Sequence, residues 1–164
     1  MMNKITAYIG LGSNLATPKT QLLAAREAIN ALEGVSEQAF SSLYSSPPMG
    51  PQDQPDYVNA VMAIETTLPA ITLLRNLQQI ELAQGRERKD ERWGARTLDL
   101  DIILYGEQLI NETDLIVPHY GMATRAFVLY PLAEIAPFDL MIPEKGRLDD
   151  LLAACPLDGL VKLK

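Results

Sequence analysis

Thr97-Leu98-Asp99-Leu100-Asp101-Ile102-Ile103-Leu104 is the stretch from which the fold can be worked out. Leu98, Leu100, Ile102 and Leu104 alternate with Thr97, Asp99, Asp101 and Ile103, and a period of two describes a half-buried strand. Upstream, Pro69 opens a segment in which Leu73, Leu74, Leu77 and Ile80 recur at helical spacing, ending near Gly85. Gln78 and Glu81, three apart on that helix, share a face that need not be the core face. Before it, Val35–Ser46 and Tyr57–Thr67 are apolar, aromatic or β-branched without helical period and read as two strands. Thr17-Pro18 provides an N-cap and a first-turn proline for an earlier helix, with Leu22, Ala25, Ile29 and Leu32 on one stripe as far as Gly34. Ile5–Ile9 is a short strand running into the Gly10-Leu11-Gly12-Ser13-Asn14 turn. The resulting order, βαββαβ, is the ferredoxin-like α+β plan, an antiparallel sheet with both helices packed on one face. Residues beyond this core are expected to form a C-terminal elaboration.

At 164 residues and 48% hydrophobic content, the chain is expected to form a single domain, 1–164. Its 14 Lys and Arg against 21 Asp and Glu give a net charge of -7, which excludes a surface built to coat nucleic acid or anionic membrane. Any anionic ligand must be bound locally. Cys155 is the lone cysteine, so no internal disulfide or cysteine zinc cage is possible and a reducing cytoplasm is the expected location. No run approaches the ~20 apolar residues of a membrane span, and Met1–Leu11 lacks a signal-peptide pattern. A monomer is the default.

Because strand side chains alternate, Asp99 and Asp101 face the same way, ~7 Å apart. Two such carboxylates repel unless a cation joins them, and hard oxygen donors suit Mg²⁺, which completes its shell with water and phosphate oxygens. Two ions ~3.5–4 Å apart fit such a site. A lone Asp-x-Asp is more often a solvated strand face. The surroundings change that balance: of the eight arginines in the chain, Arg86, Arg88, Arg92 and Arg96 fall within eleven residues, beside Lys89. Guanidinium forks bind phosphate oxygens two at a time, so arginines next to paired carboxylates point to a metal-chelated phosphate ester such as ATP·Mg. Glu87, Asp90 and Glu91 are interspersed, and simple surface pairing is the competing explanation.

The usual nucleotide motifs are absent: there is no G-x-x-x-x-G-K-[ST], and Gly10-x-Gly12 lacks the third glycine of G-x-G-x-x-G. The two glycines instead permit a tight turn or a close ligand approach. His119, the sole histidine, is followed by Arg125 and forms a second candidate phosphate cluster, although a structural role is commoner for an isolated histidine. Tyr57 and Asn59 share a strand face beside Ser46-Pro47-Pro48-Met49-Gly50-Pro51, and with Phe127 they would cradle a flat, hydrogen-bonding heterocycle. Ordinary core packing is the more frequent cause of such spacing. Trp93, between arginines, is harder to explain as core and suits a lid that stacks on substrate.

These residues together resemble the 6-hydroxymethyl-7,8-dihydropterin pyrophosphokinase family, also called 2-amino-4-hydroxy-6-hydroxymethyldihydropteridine diphosphokinase. The resemblance runs through Tyr8-Ile9-Gly10-Leu11-Gly12-Ser13-Asn14-Leu15, Pro47 to Asn59, Gln78-Gln79-Ile80-Glu81, Pro118-His119, Arg125 and Phe127. Its most specific block is Arg92-Trp93-Gly94-Ala95-Arg96-Thr97-Leu98-Asp99-Leu100-Asp101. It implies that Asp99 and Asp101 bind two Mg²⁺ ions and, with Arg88 and Arg96, form the catalytic group. It further implies that Gln78, Glu81, Arg88, Trp93, Arg96, Ile102, His119, Tyr120 and Arg125 bind ATP. Ser46, Pro47, Met49, Tyr57, Asn59, Trp93 and Phe127 would bind the pterin. Ser46 stands where some relatives have threonine, Ala95 where many have proline, and Asp114 where some have an arginine near ATP, which puts that contact in doubt. The implied reaction is attack of the pterin hydroxymethyl oxygen on the β-phosphorus of ATP, with release of AMP, in folate biosynthesis. A Mg²⁺-dependent sugar transferase shares Asp-x-Asp but needs a longer chain, and a metabolite-binding regulatory module would not need paired carboxylates beside arginines.

Overall fold

A computed structural model describes residues 4–14, 17–47, 56–86, 98–157 and 159–163. The core elements follow the expected order. β1 is Ile5–Ser13, α1 Pro18–Asn30, β2 Val35–Phe40, β3 Tyr44–Ser46, β4 Tyr57–Thr66, α2 Ala70–Glu81 and β5 Leu98–Tyr105. α2 continues into a π-helical turn, Leu82–Arg86. Beyond the core come the hairpin β6 (Ile110–Glu112) and β7 (Leu115–Val117), a 3-10 turn, Met122–Thr124, and α3 (Ala126–Ile135). A second hairpin, β8 (Met141–Ile142) and β9 (Gly146–Arg147), precedes α4 (Leu148–Ala153) and the short β10 (Val161–Lys162).

The main sheet is antiparallel in the order β10-β3-β4-β1-β5, with β2 also paired to β4. This is the ferredoxin-like arrangement. The segment expected as one strand, Val35–Ser46, is two, because Ser41 turns inward between them. Its N–H donates to the Val61 carbonyl at 2.9 Å, while its hydroxyl accepts the Val61 N–H at 2.9 Å. β1 departs from expectation by running through Gly10–Ser13, read as a turn, since β4 and β5 pair with it on both sides there. α1 departs as well. Thr17 occupies the N-cap at φ 55° and makes no side-chain capping bond there, since capping needs an extended backbone at that position.

Each sheet face carries a buried apolar cluster. α1 lays Leu22, Ala25 and Ile29, and α2 lays Leu73, Leu77 and Ile80, against Ile9, Leu11, Met62, Ile64, Leu98, Leu100 and Ile102. The opposite face carries Tyr8, Val61, Ala63, Ile103 and Leu104 under Met122, Leu129 and Leu132 of the C-terminal elaboration, with Leu148 from α4. Each fully buried Leu or Ile stabilises the fold by about 1.5–3 kcal/mol. Being covered twice explains why β4 reads as an almost unbroken apolar run.

The period-two reading of β5 holds from Leu98 to Ile102 and then changes. Tyr8 pairs with Leu104 and Ile9 with Ile102, so Ile103 is an extra residue in the ladder, a β-bulge. The bulge moves Leu104 onto the second face and returns Tyr105 to the first.

Candidate active site

Residues directly opposite one another in a sheet share a face, so the ladder register locates the site. Asp99 lies opposite Gly12 and Asp101 opposite Gly10. Gly12 in turn lies opposite Asn59, and Asn59 opposite Tyr44. Tyr57, two residues before Asn59, is paired with Ser46. Asp99, Asp101, Asn59 and Tyr57 therefore stand on the face that α3 and α4 cover further along, at its other end. Asp101 is exposed, and Asp99 and Tyr57 are half-buried.

The two glycines leave room for what crosses this face. A methyl group at Gly12 would meet the Asn59 Oδ1 at 3.0 Å, and one at Gly10 would meet the Ile103 Cδ1 at 2.9 Å. Asn59 is 4% exposed and donates from Nδ2 to the Ser46 hydroxyl at 2.7 Å. That bond fixes the amide, turning the Asn59 oxygen over Gly12. Pro47 follows on the surface, with Gly159 (φ 86°) against its ring.

The bulge also builds the second cluster. The Ile103 carbonyl accepts the His119 N–H at 3.0 Å, tying the segment after the cis Val117-Pro118 bond to β5. The Gly121 N–H donates to His119 Nδ1 at 3.1 Å, so a neutral ring carries its proton on Nε2. Burial, with the charges of Arg125 and Lys145, holds the imidazole below its ordinary pKa of 6.5. Tyr120 is 69% exposed and stacks on His119 with ring centres 4.6 Å apart. The Arg125 guanidinium lies 5.3 Å from the Tyr120 ring and 5.8 Å from that of Phe127, joining three expected ligand-binding residues.

At the C-terminal end of α2 the shared face of Gln78 and Glu81 divides. Glu81 is 8% exposed and accepts the Leu100 N–H at 2.7 Å, between Asp99 and Asp101. Gln78 is exposed, and its Oε1 accepts from Arg75 at 3.0 Å, while Arg75 also pairs with Asp114. Ile102 has its side chain in the α1 and α2 core, at 3% exposure, so its backbone is what it can offer a ligand.

The geometry can be set beside known proteins. The chain matches the family described as 7,8-dihydro-6-hydroxymethylpterin-pyrophosphokinase (HPPK) over residues 8–137. The chain belongs to this pyrophosphokinase family. It is 55% identical over 156 residues to the 2-amino-4-hydroxy-6-hydroxymethyldihydropteridine pyrophosphokinase of Pseudomonas aeruginosa, covering 95% of each chain. The same enzyme of Haemophilus influenzae is 52% identical over 159 residues, covering 97% of this chain and 98% of that one. Among solved structures, wild-type Plasmodium falciparum HPPK-DHPS superposes with a TM-score of 0.74 at 12% identity. That match covers 94% of this chain and 45% of the other, so this chain spans less than half its length.

The candidate site offers oxygen donors of the kind that suit Mg²⁺. Asp99 and Asp101 are hard oxygen donors on one face, and among the described residues no group of three or more His, Cys, Asp or Glu could hold a metal ion. A cation here would complete its shell from water and substrate, as Mg²⁺ does, and the pair fits it. Met49, Arg88, Arg92, Trp93 and Arg96 lie outside the described residues. The glycine register opposite the carboxylates and the Arg75–Asp114 pair were missed in reading the sequence. For the first, a Gly-x-Gly facing an Asp-x-Asp was the available signal; for the second there was none, because α2 and the β6–β7 turn meet only in the fold.

Proposed function

We propose that this chain transfers pyrophosphate from ATP to the hydroxymethyl group of 6-hydroxymethyl-7,8-dihydropterin, giving the pterin diphosphate and AMP in folate biosynthesis. One observation carries this reading: in a chain of the pyrophosphokinase family, Asp99 and Asp101 are registered against Gly12 and Gly10 on the face that bears Asn59 and Tyr57. The hydroxymethyl oxygen bonds to the β-phosphorus and gives up its proton to water, the bond from that phosphorus to the α-bridging oxygen breaks, and AMP leaves with the oxygen. Positioning and charge neutralisation supply most of such a rate enhancement.

Each residue has a part in this reading. The Asn59 oxygen accepts a ring N–H of the pterin, while Tyr57 and Phe127 sandwich the ring beside Ser46, Pro47 and Met49. Trp93 closes over it. His119 donates from Nε2 to a phosphate oxygen alongside Arg125 and Tyr120, and Arg88 and Arg96 hold charge that builds on the transferred group. Gln78 borders the nucleoside. Asp99 and Asp101 would hold two Mg²⁺ ions, whose charge would offset that of the phosphates. We place the enzyme in the cytoplasm as a monomer of one domain, 1–164.

The test is to incubate the protein with ATP, Mg²⁺ and 6-hydroxymethyl-7,8-dihydropterin and to identify the nucleotide product. Pterin-dependent AMP is expected. ADP, or no turnover beside an active control enzyme, overturns the reading.

A further inference from the structure

Arg75 reaches two ways from the middle of α2. One guanidinium nitrogen, Nη2, pairs with Asp114 in the β6–β7 turn, and the other, Nη1, donates to Gln78 Oε1 at 3.0 Å. The Arg75 and Asp114 side chains are about half exposed, and exposed pairs of this kind contribute little to stability. What the pair does accomplish is directional. An arginine has donors and no acceptor, so a glutamine amide beside it must turn its oxygen inward. The Gln78 Nε2 hydrogens are thereby aimed away from Arg75. Gln78 stands one helical turn before Glu81, which is bonded to the backbone between Asp99 and Asp101.

We propose that Arg75, held by Asp114, is a positioning residue that presents the Gln78 amide as a hydrogen-bond donor to the nucleoside part of ATP. This rests on the reading above that Gln78 borders the nucleotide. The acceptor would be a ring nitrogen or a sugar oxygen. Without Arg75 the amide can rotate and offer its oxygen to an acceptor, which repels. Asp114 keeps the guanidinium from following solvent, so its removal should act in the same sense and more weakly.

Two variants separate positioning from mere packing. Arg75→Met removes the donor to Gln78, whereas Gln78→Glu keeps a partner for Arg75 but has no amide hydrogens. We would measure binding of a non-hydrolysable ATP analogue with Mg²⁺ by calorimetry on the full chain, with KM and kcat for both substrates and thermal unfolding. The expected result is analogue binding weakened about threefold to tenfold in both variants, the effect of losing one hydrogen bond. In Arg75→Met, KM for ATP should rise in parallel, with kcat, pterin KM and melting temperature close to wild type, and Arg75→Lys should recover most of the affinity. Wild-type affinity in Arg75→Met overturns the proposal, as does equal weakening toward the pterin. If the wild-type chain binds the analogue but forms no pterin-dependent AMP, the proposed reaction fails while a weakened Arg75→Met still supports the positioning role. If the wild-type chain binds no analogue, this proposal falls.

Discussion

Glu81 accepts a hydrogen bond at 2.7 Å from the backbone N–H of Leu100, the residue that separates Asp99 from Asp101. Among the described residues β5 ends one side of the sheet, and a buried edge N–H needs a partner from outside the ladder. Glu81→Ala leaves that N–H unpaired and should lower stability by about 1–3 kcal/mol. It should also raise the Mg²⁺ concentration needed for half-maximal AMP formation, since the backbone between the carboxylates loses its anchor. Glu81→Gln, which keeps an acceptor, should retain most of both. Chemical denaturation and a Mg²⁺ titration of turnover check this, and an unchanged titration in Glu81→Ala would show that the bond serves stability alone.

Asp99→Asn and Asp101→Asn keep the shape of each side chain and remove its charge. Both residues stand on the open end of their sheet face, outside the apolar clusters. Each variant should lose roughly 100-fold or more in kcat, the scale of removing one electrostatic contact to a transition state, while its melting curve stays near wild type. A variant that turns over at the wild-type rate is not a metal ligand.

Gly12 is a more selective probe, because an added methyl group would meet the Asn59 oxygen at 3.0 Å. Gly12→Ala should push the amide off its position and strain the bond from Asn59 to Ser46, raising KM for the pterin by about tenfold or less, as for one lost hydrogen bond. KM for ATP should change little. Steady-state kinetics with each substrate varied in turn would test this, and equal changes in both KM values would mean that the methyl group disturbs the whole strand.

How much of this could be read in advance follows from what local pattern contains. Leu98, Leu100 and Ile102 declare β5 and place Asp99 with Asp101, because alternation is a property of a few adjacent residues. The extra residue at Ile103 is a matter of register with β1, and no local period encodes register. That one residue sends Leu104 to the opposite core and offers the carbonyl that anchors His119. The third layer was equally hard to place. Ala126–Ile135 is apolar on nearly every side, as a helix sealed over a sheet should be, but Pro131 in its middle reads as a breaker. The helix tolerates the proline because its packing over the sheet outweighs one missing backbone bond. By contrast, the placement of Tyr57 with Asn59 was legible, since both lie on one continuous strand.

Glu134 on α3 fastens the far edge of the sheet. Its carboxylate accepts from the Tyr44 hydroxyl, from the Ser42 N–H at 2.7 Å and from Lys162 of β10 at 3.3 Å. Burial alone would raise its pKa, and these hydrogen bonds outweigh burial and hold it below the ordinary value. A folded carboxylate with a depressed pKa stabilises the protein above the unfolded value near 4.5, and that contribution is lost as pH falls through the folded value. Glu134→Gln should therefore be less stable than wild type at pH 7, with the gap closing in acid. It should also loosen the C-terminal strand, seen as faster hydrogen exchange at the Leu163 N–H, which is bonded to Leu43 at 2.8 Å. Equal exchange in both proteins would show that the strand is held by its ladder alone.

His119 makes the opposite kind of titration. Burial and the positive charges of Arg125 and Lys145 depress its folded pKa below 6.5, so near neutral pH the ring is neutral and Nδ1 is occupied by the Gly121 N–H. Below pH 6.5 the unfolded chain binds this proton more readily than the folded one, so the stability that a neutral His119 contributes is present above that value and is lost as pH falls through the folded pKa. His119→Gln has no such titration, and its stability relative to wild type should rise as pH is lowered from 7 toward 5. The functional consequence runs through the same atoms. In the free enzyme a neutral ring keeps its Nε2 hydrogen across pH 6.5 to 8.5, so loss of a His119 proton should not appear as a falling limb in kcat/KM there. An anionic ligand bound beside His119 would instead favour the imidazolium, so bound ATP should raise the histidine pKa, a shift that NMR titration of this sole histidine can follow directly. A pKa that does not move on adding ATP and Mg²⁺ would place His119 away from the phosphates.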